Sequence, residues 1–74
     1  MWRVNITCDG EAWKLYGVEF KTLAGKYKGE LIGSKKMPNG IRIMSYKIED
    51  VSEAEAFQEE CAEFTGFTSD FESL

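Results

Sequence analysis

Seventy-four residues leave room for one domain, and 43% apolar and 14% aromatic content is enough to give that domain a packed core rather than a disordered chain. No apolar run approaches the roughly 18 residues that a membrane span needs, and the chain has no histidine and two cysteines, Cys8 and Cys61, without a C-x-x-C spacing. That inventory excludes a four-ligand zinc site and the Ser-His and Cys-His nucleophile arrangements, and it removes the commonest general base near neutral pH.

At the N-terminus, Trp2, Val4, Ile6 and Cys8 alternate with Arg3, Asn5 and Thr7, the period of a half-buried strand. There is no signal-type apolar block, so the expectation is a soluble, cytoplasmic protein. Asp9-Gly10 follows, a dipeptide suited to a two-residue hairpin turn because both positions tolerate positive φ. A hairpin there sets Cys8 opposite Glu11, Ile6 opposite Trp13 and Val4 opposite Leu15. Trp2, Val4, Ile6, Trp13 and Leu15 then share one face, and Arg3, Asn5, Lys14 and Tyr16 the other. Gly17 reads as a bulge where the apolar parity shifts to Val18 and Phe20.

Met37-Pro38-Asn39-Gly40 predicts a second hairpin, with proline early in a type I turn and Gly40 in the left-handed position after it. The register pairs Ile32 with Tyr46 and Ser34 with Met44, with Lys36 and Arg42 paired near the tip. Ile41 and Ile43 fall on the opposite parity from Met44, Tyr46 and Ile48. A bulge or an interface, including that of a homodimer, accounts for them.

Ser52-Glu53-Ala54-Glu55 has the form of a capping box, and Ala54, Phe57, Cys61 and Phe64 then recur as a narrow apolar stripe. The spacing predicts an amphipathic helix over 52–65, ended by Gly66. The tail 67–74 carries Phe67, Phe71 and Leu74 at spacings of four and three, which suits one more helical turn or an extended segment on the sheet. Cys8 and Cys61 both fall on apolar faces and are expected as buried free thiols. The fold class predicted for residues 1–74 is therefore α+β: two antiparallel hairpins, about four strands within 1–48, and a single C-terminal helix packed on one face.

Charge is the most informative functional feature. Residues 1–48 hold nine bases against four acids, a net +5, whereas residues 49–74 hold nine acids and no base, a net −9. Glu53, Glu55, Glu59, Glu60 and Glu63 lie away from the apolar stripe, and the like-charge pairs four residues apart each cost about 0.2–0.5 kcal/mol. The plain reading is a solvated face. The sharper one is a surface kept anionic for a basic partner, with Phe67, Phe71 and Leu74 as apolar anchors. At about 1.5 Å rise per residue the five glutamates spread over about 15 Å, close to the charge spacing of one nucleic-acid strand.

The leading expectation is thus a small non-enzymatic protein-binding module, an inhibitor or adaptor in a format common among virus-encoded proteins, with no cofactor and no metal. The alternative is a nucleic-acid-binding module using Lys35, Lys36 and Arg42 at the hairpin tip with Lys26 and Lys28 beside them, around Tyr27. Leu23-Ala24-Gly25-Lys26-Tyr27 resembles a phosphate loop only in outline, since Tyr27 stands where the hydroxyl residue belongs and Phe20 where the first glycine does.

Overall fold

The computed structural model describes residues 1–74 as six elements: β1 (Trp2–Cys8), α1 (Gly10–Lys26), β2 (Glu30–Lys36), β3 (Arg42–Ile48), α2 (Val51–Ala62) and β4 (Phe67–Ser73). The strands form one antiparallel sheet in the order β2-β3-β1-β4. This is the β-α-β-β-α-β, or ferredoxin-like, arrangement. The α+β class and the antiparallel sheet agree with the sequence expectation; the single C-terminal helix does not.

The correction lies at Asp9-Gly10, which starts a helix instead of turning a hairpin. Asp9 is the N-cap of α1 and its carboxylate accepts from the Ala12 N–H at 2.7 Å, satisfying one of the free donors of the first turn. Glu11 in the first turn and Lys26 in the last both favour the helix dipole. Ala12, Gly17, Phe20 and Ala24 are buried, and Trp13, Tyr16, Leu23 and Tyr27 pack partly against the core. Gly17 is therefore a helical residue, not a bulge: a side chain there would meet the Trp13 indole at 3.4 Å. Leu15 and Val18, which gave the segment its strand-like parity, are 72% and 81% exposed.

The second hairpin keeps most of its expected register, with Ser34 opposite Met44 and Lys36 opposite Arg42. The Gly40 N–H donates to the Met37 carbonyl at 3.0 Å, and Gly40 takes φ +90. A bulge between Leu31 and Gly33 overturns the Ile32–Tyr46 pair, leaving Leu31 opposite Tyr46. Helix α2 is shorter than the 52–65 expectation and is capped by Asp50, which accepts from the Ser52 N–H at 2.7 Å, so Ser52 is not its cap. Gly66 takes φ +88 beyond the helix, where an added Cβ would stand 2.8 Å from that of Ala12. Of the two forms expected for the tail it takes the extended one rather than a helical turn: it is β4, paired with β1 along its length, and the Leu74 N–H donates to the Met1 carbonyl at 3.1 Å.

Both helices cover one face of the sheet. Val4, Ile6 and Cys8 of β1, Met44, Tyr46 and Ile48 of β3, and Phe67 of β4 meet Phe20 of α1 and Ala54, Phe57 and Cys61 of α2 in a continuous core. Phe20 and Phe57 stack at 6.1 Å, and each meets Tyr46 edge-on at 5.7 Å. Each fully buried phenylalanine contributes about 1.5–3 kcal/mol, a large share of the stability a chain this size can have.

Candidate binding surface

Strand parity places Arg3, Asn5 and Thr7, Ser45 and Lys47, Thr68, Asp70 and Glu72, and Glu30 on the uncovered face of the sheet. Several of these side chains pair with one another across strands. Lys47 pairs with Glu30 at 3.2 Å, Arg3 with Glu72, and the Asn5 amide donates to Asp70 at 3.0 Å and Glu72 at 3.1 Å. The Ser45 hydroxyl donates to the Asn5 side-chain carbonyl at 3.0 Å. None of these positions carries an aromatic ring, so the face offers no platform for stacked bases of the kind that sheet-based single-strand binders use.

The acidic set divides. Glu53, Glu55, Glu59 and Glu63 are exposed, and none has a lysine or arginine within 4.0 Å. Glu60 is half-buried, with its carboxylate 3.7 Å from the Lys26 ammonium, and hydrogen bonding to it pushes the Tyr27 phenol above its ordinary value. Two of the three apolar anchors expected beside these acids are packed inward. Phe67 is 4% exposed and packs edge-on against Phe64 at 5.4 Å, while Phe71 is half-buried edge-on against Trp2 at 5.7 Å. Leu74, at 56% exposed, is the one expected anchor left open.

The basic set also divides. Lys35, Lys36 and Arg42 lie at the hairpin tip, but Lys26 and Lys28 lie at the other end of β2, where α1 terminates. Lys26 is held between Glu60 and the Tyr27 ring, 5.3 Å from its centroid. Lys28, at φ +53, borders an open cleft of about 310 Å³ with Tyr27, Glu30, Lys47, Glu49 and Glu53, where two lysines are outnumbered by three glutamates. Sequence reasoning missed Trp13 and Lys21 as neighbours of the tip: the Arg42 guanidinium lies over the Trp13 ring at 4.7 Å and the Lys21 ammonium at 5.5 Å. Their meeting depends on α1 crossing back over β3, which no local spacing encodes.

No protein-family model and no curated protein matches the chain. Among solved structures it is similar to the uncharacterized protein TM1266 from Thermotoga maritima, with 11% identity, a TM-score of 0.72, and 99% of this chain and 94% of that one covered. It is also similar to an uncharacterized NIPSNAP domain protein from Burkholderia xenovorans, with 18% identity, a TM-score of 0.60 and coverage of 100% and 94%. At these identities the likeness is one of fold. No helix is long and apolar enough to cross a membrane.

Proposed function

We propose that the chain is a non-catalytic binding module that presents the outer surface of α2 to a basic surface on another macromolecule. The observation that carries this reading is that Glu53, Glu55, Glu59 and Glu63 are exposed without a cationic partner, although the chain has nine bases. An isolated helix gains by interleaving lysines with such acids, and α2 has no base in its last turn. Steering by this surface makes association fast and salt-dependent. With Phe67 and Phe71 packed internally, affinity rests on charge density rather than on apolar anchors.

The test is the triple reversal Glu55→Lys, Glu59→Lys, Glu63→Lys, used beside the parent to capture partners from native extract with and without nuclease. The expected outcome is a variant whose circular dichroism is unchanged and which loses the salt-sensitive, nuclease-resistant partner by about tenfold or more in affinity. Equal capture by parent and variant overturns the reading. Capture that disappears with nuclease and with loss of Lys35 and Lys36 favours the nucleic-acid alternative, whose support is the cation pair Lys36–Arg42 beside Lys21.

A further inference from the structure

The two edges of the sheet are built differently. At the β4 edge, Asp70 and Glu72 stand on the open face, so a second β4 laid alongside would bring acid against acid. At the β2 edge every residue is exposed, Leu31 and Ile32 at 53% and 44% among them. Its outer backbone donors and acceptors have no strand beside them. Glu30 and Lys35 share the open face, opposite Lys47 and Ile43, whereas Leu31 and Ser34 share the helix side, opposite Tyr46 and Met44. Ile32 is the extra residue of the bulge between them.

We propose that β2 is a self-pairing edge, joining antiparallel to β2 of a second copy about a two-fold axis between Ile32 and Gly33. That register sets Glu30 opposite Lys35 of the second copy and Leu31 opposite its Ser34, each of these pairs on a matching face of the sheet. Symmetry supplies the ion pair twice. Gly33, lacking a side chain, leaves space for Ile32 of the second copy at the centre, and the joint brings the exposed Leu31 and Ile32 of each copy into the contact. The choice of a second copy over a foreign strand rests on this charge complementarity, which shifting the register by one residue destroys by placing Glu30 and Lys35 on opposite faces. The surface is separate from the outer face of α2, so the dimer and the partner reading stand or fall independently.

The test is sedimentation equilibrium from micromolar to millimolar concentration on the parent, on Glu30→Lys, on Lys35→Glu, and on an equimolar mixture of the two variants. Each variant alone sets like charges opposite each other and weakens dimerisation by about tenfold. The mixture restores it, because the all-lysine edge of one copy meets the all-glutamate edge of the other. Lys35→Glu lies opposite Ile43 and disturbs no ion pair within the chain, which keeps the result readable if Glu30→Lys affects folding through Lys47. A parent that stays monomeric throughout overturns the proposal, and so does a dimer indifferent to both substitutions or a mixture no tighter than its components.

Discussion

Cys61 is sealed between α2 and the sheet at 0% exposure, and burial, with the Glu60 charge adding to it, pushes its thiol from 9.0 up to about 12. Burial raises Cys8 as well. Because the folded value of Cys61 exceeds the unfolded one, its contribution to stability is intact below about pH 9 and is lost as pH rises toward 12, where only the unfolded chain ionises readily. The expected loss is on the order of a few kcal/mol across that window. Burial raises Tyr46 too and steepens the same fall. Thermal melts of the parent and of Cys61→Ala, compared between pH 8 and pH 12, isolate the thiol: the variant starts lower and falls less. Neither thiol of the folded protein should react with a disulfide reagent at pH 8, and both should react once it is unfolded.

Among the elements, both helices begin at an aspartate within two residues of a strand's end, and their caps decide how the chain is punctuated. Asp9→Ala removes the bond to the Ala12 N–H and should cost about 0.5–2 kcal/mol, as should Asp50→Ala, whereas Ser52→Ala should be nearly neutral because Ser52 supplies only its backbone N–H. Chemical denaturation of the three variants checks the ranking, and an equal loss at Ser52 would restore the capping-box reading. The β2–β3 hairpin and the Ala54-Phe57-Cys61 stripe were legible because turn chemistry and period agree within each segment. Helix α1 was not. Asp-Gly serves a hairpin turn and a helix start equally well, its buried positions include the small residues Ala12, Gly17 and Ala24, and its exposed Leu15 and Val18 supply a false alternation. Strand β4 was open for a related reason. Phe67 and Phe71 are four apart, a spacing that returns to the same side of a helix and of a strand alike.

Over the whole molecule, the division of charge was readable from composition, but its spatial consequence was not. Sequence proximity groups Lys26 and Lys28 with Lys35 and Lys36, whereas the length of β2 separates them. The same long-range topology brings the chain's two ends together. With β1 and β4 adjacent and Leu74 bonded to Met1 through the backbone, the path through space is almost a closed ring whose opening happens to fall between β4 and β1. A short glycine-serine bridge can close that gap at little entropic cost, about 0.6 kcal/mol for each doubling of its length. The ring can then be reopened at the exposed Pro38-Asn39 turn. A permuted chain running from Asn39 through the bridge to Pro38 should melt within a few degrees of the parent with the same circular dichroism. An unfolded permutant would mean that β2 and β3 must be joined before the sheet can assemble. If it folds, either end of the molecule is a place to begin, and the order in which the strands are made is not what specifies the sheet.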